Sequence, residues 1–148
     1  MTDAGFDPLK LENQLCFPLY ACAREVVKRY KPFLDNINLT YTQYVTMMVL
    51  WEKPEVTSKE IGERLHLDSG TLTPVIKKLA EKGLVTRRRS PQDERNLVVT
   101  LTDAGRDLRE RALAIPGQMS ACVRLSPEDA KALYRILYQL LGEMGEGE

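Results

Sequence analysis

The three cysteines are the residues of this 148-residue chain with the most scope for chemistry. Cys16, Cys22 and Cys122 form an odd, sparse set with no CxxC pair and no histidine at metal-ligand spacing. Such a set predicts neither a disulfide framework nor a zinc site, so the thiols are expected to be free. Because the thiolate is the reactive form of cysteine, at least one of them is a candidate for redox chemistry.

Cys16 lies in the segment LENQLCFPLY, on the apolar face of a predicted helix. A cysteine in that setting is more often a small buried hydrophobe than a sensor, and the pattern alone favours packing. Two features favour reactivity instead. Proline is tolerated best in a first helical turn, so Pro18 places the helix start near Cys16, where the dipole favours a thiolate. Phenolic O–H groups also donate to thiolates, and four tyrosines share this half of the chain: Tyr20, Tyr30, Tyr41 and Tyr44.

A second set of residues, rich in hydroxyl and basic side chains, is typical of nucleic-acid recognition. Hydroxyls bond phosphates or base edges, threonine methyls contact thymine methyls, and a guanidinium near a hairpin tip reaches a narrow minor groove. The net charge of 0 argues weakly against nucleic acid, but residues 77–95 hold seven basic and three acidic side chains, a local net of +4. A solvated helix and strand would carry similar charges. The predicted DNA-contacting residues are Ser69, Thr71, Thr73, Lys77, Lys78, Arg87, Asp93 and Arg95, with Asp93 orienting Arg95.

The elements that position these residues are predicted to be helices and one β-hairpin. A helix begins near Cys16, and Lys31-Pro32 is expected to interrupt the helical structure. Thr102 is expected to cap a helix that continues past a bend at Pro116, and Ser126 to begin the last helix. Between these, helices are predicted over 40–52, 58–65 and 71–82, the last ending at Gly83, and strands over 84–89 and 96–101.

Two short helices followed by a basic hairpin predict a mainly α fold with a small β-hairpin, a winged helix-turn-helix. The chain is expected to be one domain, residues 1–148, with its DNA-binding region at about 40–101. Long terminal helices at about 10–36 and 102–145 carry more apolar surface than one small core absorbs. They are therefore predicted to form a homodimer interface, although closure of the monomer core is the alternative.

Composition narrows the other possibilities. Apolar residues make up 43% and charged residues 28% of the chain, which is typical of a globular protein. No apolar run is long enough to cross a membrane and no signal peptide is recognised, so a cytoplasmic location is expected. No cofactor or metal is expected, because His66 stands without clustered ligands and no GxGxxG, P-loop or GxSxG motif occurs.

Several segments of the chain closely resemble the OhrR group of the MarR family of transcriptional regulators. The matching segments are LENQLCFPLY, YKP at 30–32, LTYTQY at 39–44, LDSGTLTPVIKKLAEKGLVTR at 67–87 and DER at 93–95. LDSGTLTP and DER are typical of MarR-type regulators in general. The segment LENQLCF, with its cysteine, is the more specific marker of the organic-hydroperoxide sensors.

The resemblance implies a homodimer that, when reduced, binds a double-stranded, pseudo-palindromic operator and represses a peroxide-detoxifying gene. It implies that Cys16 is the peroxidatic cysteine, that Tyr30 and Tyr41 hydrogen-bond its thiolate, and that Tyr20 lies near the same pocket. The implied inducer is an organic hydroperoxide, which oxidises the thiolate to a sulfenic acid. That product condenses with a second thiol, and the dimer then releases DNA.

The family divides by the source of the second thiol, which is a small cellular thiol in one group and a cysteine of the partner subunit in the other. Cys122 matches the region of the resolving cysteine, so the resemblance implies an intersubunit Cys16–Cys122 disulfide. Cys22 or a small thiol would compete with Cys122, although packing is the simpler interpretation of Cys22.

Two other functions stay open at this point. A MarR-type regulator that binds a small aromatic ligand between its helices would release DNA with its thiols reduced, and Cys16 would then be a packing residue. A thiol peroxidase would turn over hydroperoxide at Cys16, but a basic hairpin gives an enzyme no evident benefit. The sequence therefore favours a redox-switched DNA-binding repressor that is not an enzyme.

Overall fold

The computed structural model describes residues 5–92 and 95–145, with the backbone alone for residues 144 and 145, and Asp93 lies outside this part. Within it, a one-turn 3-10 helix at Leu11–Asn13 precedes seven α-helices and three strands. They are α1 Cys16–Asp35, α2 Tyr41–Glu52, β1 Glu55–Thr57, α3 Ser58–Leu65, α4 Ser69–Glu81, β2 Val85–Arg89, β3 Leu97–Leu101, α5 Asp103–Ala112, α6 Ile115–Cys122 and α7 Pro127–Gly145.

Helix α1 begins at Cys16 and holds Pro18 in its first turn, which confirms the predicted start. The prediction that Pro32 interrupts the helical structure is wrong, because α1 continues through it to Asp35. A proline this close to the end of a helix removes a single hydrogen bond to the preceding turn. Burial of Leu34, which is only 2% exposed, offsets that loss and keeps the last turn helical.

The helices of the middle segment begin at side-chain caps. Thr40 and Thr57 each form a capping box with the residue three positions on, and Asp68 accepts from the backbone N–H of Thr71. Helix α4 therefore begins two residues earlier than predicted. Gly83 follows α4 with a φ of +76°, a left-handed conformation that confirms its role in ending the helix.

The predicted hairpin is present as β2 and β3, which pair antiparallel from Val85↔Leu101 to Arg89↔Leu97. The sequence missed β1, a three-residue strand that pairs with β3 and extends the sheet to the order β1-β3-β2. A strand this short has no readable alternation, so only its partner reveals it.

Thr102 caps α5, as predicted, by accepting from Gly105 N–H. The single helix expected to bend at Pro116 is instead two helices, because α5 ends at Ala112 and α6 begins at Ile115. Proline fits the first turn of a helix, so Pro116 starts a new helix rather than bending an old one. Ser126 caps α7 through the N–H of Asp129, as expected.

The described residues form two compact units that divide between Ile115 and Pro116. The first unit contains a hydrophobic core in which Tyr44, Met47 and Leu50 of α2 are at most 1% exposed. None of the helices in the described part is long and apolar enough to cross a membrane.

Candidate nucleic-acid interface and redox site

Cys16 is the first residue of α1 and is exposed, with a free thiol. No side chain caps this helix start and no acidic residue stands in its first turn. The positive end of the helix dipole therefore lies at the sulfur without competition from a carboxylate. The packing interpretation of Cys16 fails within the single chain, because the residue is not buried against its own core.

Tyr30, Tyr41 and Tyr44 form a cluster where the end of α1 meets the start of α2. The ring of Tyr30 lies 4.9 Å from that of Tyr41 and 5.8 Å from that of Tyr44, centroid to centroid. Burial raises the pKa of Tyr30, and burial together with the neighbouring phenols raises the pKa of Tyr44 to about 12. Tyr30 and Tyr44 therefore stay protonated at neutral pH, the form in which a phenol can donate a hydrogen bond.

The cluster does not lie beside the Cys16 of its own chain. Cys16 begins α1 and Tyr30 lies fourteen residues later in the same helix, about 21 Å away along the axis at a rise of roughly 1.5 Å per residue. The ring of Tyr41 contacts that of Tyr30, so Tyr41 is also far from the Cys16 sulfur. No hydrogen bond from either phenol reaches Cys16 within one protomer.

The remaining sensor candidates lie on different elements. Tyr20 stands one turn after Cys16 on α1, is 59% exposed, and has the guanidinium of Arg24 5.5 Å from its ring centroid. Cys22 is exposed on α1. Cys122 ends α6, is half-buried, and its Sγ lies 3.5 Å from the carbonyl oxygen of Gln118.

The first turn of α4 presents Ser69, Thr71 and Thr73, all exposed. The hydroxyl and backbone N–H of Thr71 both donate to the Asp68 carboxylate, which lowers the pKa of Asp68. The Thr73 hydroxyl donates to the Ser69 carbonyl at 2.7 Å. Because both hydroxyl protons are used internally, the two threonines present methyl groups and acceptor lone pairs to a ligand.

The two exposed lysines of α4 differ in their ion pairing. Lys78 forms an ion pair with Glu81 at 3.4 Å. Lys77 is exposed and, within the described residues, has no ion-pair partner. Lys77 lies one turn after Thr73 and is therefore on the same face of the helix.

The β2–β3 hairpin, called the wing below, carries the other basic candidates. Arg87 lies opposite the buried Val99 in the register, so its side chain is on the same face of the sheet as Val99. Unlike Val99, Arg87 is exposed. Arg88 points to the opposite face, where its guanidinium lies 2.6 Å from Glu55 of β1. Arg95 is exposed at the described edge of the wing loop.

A small open cavity of about 230 Å³ lies between α1 and α2 in the first unit. Apolar side chains from Val27, Leu34 and Leu39 line it together with Tyr41. Lys28, Lys31 and Asp35 also line the cavity, and Lys31 is ion-paired with Asp35 at 2.9 Å. Its lining suits a small, flat, mainly apolar ligand.

Sequence reasoning missed the contacts of two cationic residues near these sites. Lys82 donates to the carbonyl of Asn38 and to the side chain of Gln43, and Arg111 donates to the carbonyl of Asn36. The carbonyls that end a helix need partners, but the sequence does not say which distant cation supplies them. No cluster of three or more His, Cys, Asp or Glu side chains suited to a metal ion occurs in residues 5–92 and 95–145.

Residues 28–111 match the family described as transcriptional regulator SarA/Rot. The chain is 52% identical over 136 residues to the organic hydroperoxide resistance transcriptional regulator of Bacillus subtilis, covering 92% of each sequence. Among solved structures it is similar to AbfR of Staphylococcus epidermidis. Reduced AbfR bound to DNA is 36% identical, with a TM-score of 0.74 over 90% of this chain and 93% of that one.

Disulfide-formed AbfR is 37% identical, with a TM-score of 0.63 over 88% of this chain and 92% of that one. These relatives are transcriptional regulators, which agrees with the predicted winged helix-turn-helix and with a function other than enzymatic catalysis. The identity and coverage of the Bacillus relative, together with the LENQLCF segment, decide the subgroup. The chain therefore belongs to the OhrR group of the MarR family of DNA-binding transcriptional regulators.

Proposed function

We propose that this protein is a homodimeric repressor that releases its operator when an organic hydroperoxide oxidises Cys16. The observation that carries the proposal is the exposed, uncapped position of Cys16 at the start of α1, in a chain 52% identical to an organic hydroperoxide resistance regulator. Cys16 does not pack in the core of its own chain, which leaves it exposed, and this supports a role in chemistry.

Exposed apolar surface supports a dimer. In the first unit, Phe17, Leu19 and Val26 of α1 are each more than a third exposed. In the second unit, Leu133 and Ile136 of α7 are exposed to a similar extent. Helices that leave this much apolar surface in water gain stability by pairing with a second copy.

A dimer also supplies donors for the thiolate. Tyr30 and Tyr41 lie about 21 Å from the Cys16 of their own chain, so any hydrogen bond from them to a Cys16 thiolate must cross between protomers. Each sensor is then built from the cysteine of one protomer and the two phenols of its partner. Such a site disassembles when the two protomers shift, which links thiol chemistry to dimer geometry.

The proposed chemistry takes two steps. The Cys16 thiolate attacks a peroxide oxygen, an S–O bond forms as the O–O bond breaks, and the alkoxide leaves as an alcohol after taking a proton. The Cys122 thiolate of the partner then attacks the sulfenic sulfur, forming the disulfide as hydroxide leaves and is protonated to water. Cys22 is the competing thiol in the chain, and a small cellular thiol is the competitor from outside.

In the reduced state, α4 is proposed to enter the major groove of operator DNA with Ser69, Thr71 and Thr73 at its leading end and Lys77 and Lys78 behind them. Arg87 and Arg95 of the wing are proposed to contact the adjacent backbone and minor groove, with Asp93 orienting Arg95. Two such units in a dimer would read half-sites about 34 Å apart.

The test uses a DNA duplex that the reduced wild-type protein selects from a random-sequence pool. We expect the reduced protein to shift this duplex and cumene hydroperoxide to abolish the shift. Cys16→Ser should bind and ignore the oxidant, and Cys122→Ser should lose the disulfide-linked dimer on a non-reducing gel. Cys22→Ser is the matched control and should behave as wild type. Release of Cys16→Ser by the oxidant as readily as wild type would contradict the proposal.

A second candidate function rests on the cavity between α1 and α2. Its apolar lining and Tyr41 suit a small aromatic ligand, and Lys28 and the Lys31–Asp35 ion pair supply polar groups. A ligand bound there would press on the start of α2 without thiol chemistry. Release of the selected duplex by benzoate or a hydroxybenzoate, with all thiols still reduced, would support this function over the redox switch.

A further inference from the structure

The turn between α1 and α2, residues 36–40, is held by two cations from distant elements of the first unit. The Lys82 ammonium donates to the Asn38 carbonyl at 2.5 Å and to the Gln43 side-chain oxygen at 2.9 Å. The Arg111 guanidinium donates to the Asn36 carbonyl. Together these contacts satisfy two backbone carbonyls of the turn, one of them at the C-cap of α1.

The two cations differ in the element that carries them. Lys82 is the C-terminal cap residue of α4, the helix proposed to read DNA. Arg111 belongs to α5, which carries none of the proposed DNA contacts. Both stabilise the turn, but only Lys82 connects it to the recognition helix.

Gln43 brings the contact of Lys82 next to the tyrosine cluster. The Gln43 side-chain oxygen that accepts from Lys82 also accepts from the Thr40 backbone N–H, which closes the cap of α2. Tyr41 is the first residue of α2, between these two capping residues. A movement of Tyr41 that displaces the first turn of α2 therefore moves the oxygen to which Lys82 is bound.

The backbone conformation at Asn38 gives this contact weight. Asn38 adopts a φ of +54°, a left-handed conformation that costs free energy in any residue other than glycine. A charged donor that bonds the carbonyl of such a residue helps to hold it there, and loss of that donor frees the turn.

We propose that Lys82 is the positioning residue that couples the tyrosine pair Tyr30–Tyr41 to the recognition helix α4. The inference rests on the proposed function, in which the tyrosine pair meets the thiolate of the partner. With its thiols free, the chain places Lys82 on the turn and so fixes the C-terminal end of α4. Rearrangement at the tyrosines shifts the cap of α2, the two bonds of Lys82 are lost, and α4 changes position relative to the rest of its unit.

The test compares wild type with Lys82→Met, Lys82→Arg and Arg111→Met. Affinity for the selected duplex is measured by fluorescence anisotropy before and after cumene hydroperoxide, with the state of each thiol read by mass spectrometry. For equally oxidised protein, Lys82→Met should reduce the ratio of reduced to oxidised affinity by about 10-fold. Lys82→Arg keeps the donors and should restore the ratio. Arg111→Met loosens the same turn but should keep the wild-type ratio.

A simple loss of stability would weaken both affinities and leave their ratio unchanged, so a wild-type ratio in Lys82→Met overturns the inference. A direct contact of Lys82 with phosphate is a further alternative. It would lower the slope of log affinity against log salt by about one in Lys82→Met, and that result also overturns the inference.

A double-mutant cycle on reduced protein separates this inference from the redox proposal. Tyr41→Ala should change the affinity for the selected duplex by about 3-fold or more when Lys82 is present, and should have little effect in the Lys82→Met background. Additive effects would overturn the coupling. If hydroperoxide fails to release wild type while the cycle is non-additive, the redox function fails and the coupling stands.

Discussion

The rings of Tyr30 and Tyr41 lie 4.9 Å apart across the α1–α2 turn, with their planes inclined by 56°. Tyr30 lies in α1, five residues before its end, and Tyr41 begins α2, so the pair joins the two helices far from Cys16 of the same chain. Because the two residues touch through their rings, a Tyr→Phe substitution removes a hydroxyl group and keeps the contact.

Tyr41→Phe keeps the ring contact and removes the hydroxyl. A hydrogen bond to a charged acceptor contributes about 1.5–3 kcal/mol, so we expect the rate of Cys16 oxidation by hydroperoxide to fall about 10-fold or more. Operator affinity of the reduced protein should change little. The rate is measured by stopped-flow loss of the free thiol. Tyr134→Phe, which removes a hydroxyl from an exposed ring pair on α7, is the control and should react at the wild-type rate.

Thr73 separates the two kinds of contact that a threonine can make with DNA. Its hydroxyl proton is donated to the Ser69 carbonyl at 2.7 Å, so its methyl group is the part that remains for a base edge. We expect Thr73→Val to retain most of the affinity for the selected duplex and Thr73→Ser to lose several-fold, about 1 kcal/mol. Anisotropy titrations measure both. The opposite order would show that the hydroxyl leaves Ser69 to contact DNA.

Lys77 tests the electrostatic part of the interface. It is exposed on the face of α4 that also carries Thr73. Lys77→Met should weaken binding to selected and random duplexes alike and lower the slope of log affinity against log salt by about one. Lys131→Met removes one charge from α7 and should leave the slope unchanged. A loss confined to the selected duplex would instead assign Lys77 to base recognition.

The local signals of the sequence predicted most of the fold. Thr40, Thr57 and Thr102 each cap a helix by bonding the residue three positions on, so a short stretch of sequence is enough to predict the cap. The two errors at prolines, Pro32 and Pro116, arose because tertiary packing and position in a turn decide whether proline ends, starts or merely tolerates a helix. Strand β1 was missed because three residues are too few to show alternation, and the strand is recognised only by its pairing with β3.

The candidate site was predictable only in part, for a related reason. The resemblance to the OhrR group implies that Cys16, Tyr30 and Tyr41 share one sensor, but only helix geometry shows that one chain cannot bring them together. The contacts of Lys82 join residues 44 and 39 positions apart, and a periodicity analysis has no access to pairs at that separation. The sequence thus predicts candidate groups, and the three-dimensional fold shows which of them lie close together within one chain.

Asp68 gives the recognition helix a pH dependence whose sign follows from its pKa. The Thr71 hydroxyl and N–H lower the pKa of Asp68 in the folded chain. The stabilisation is therefore complete above the unfolded pKa, about 3.9, and is lost as the pH falls through the lower folded value. Asp68→Asn keeps a capping oxygen without the charge. We expect wild type to lose more stability than Asp68→Asn between pH 5 and pH 2 in urea unfolding. Equal losses would show that Asp68 does not titrate with folding.

Gly105 is required by close packing at the first turn of α5. A Cβ at this position would lie 2.3 Å from the carbonyl oxygen of Leu84 and 2.6 Å from a methyl of Leu101. The Gly105 carbonyl also accepts from the indole N–H of Trp51 at 2.9 Å, so the backbone cannot move away without breaking that bond. We expect Gly105→Ala to lower the free energy of unfolding by about 1–3 kcal/mol.

The matched control for Gly105 is a glycine whose added Cβ meets no neighbour. Gly142 lies in α7 with nothing within 4 Å of that position, so Gly142→Ala gains helix propensity without a clash. Chemical denaturation should show Gly142→Ala at or slightly above wild-type stability and Gly105→Ala well below it. Equal stability of the two variants would mean that α5 can move away from Leu84 at little cost, and that the Trp51 bond does not fix it against the start of β2.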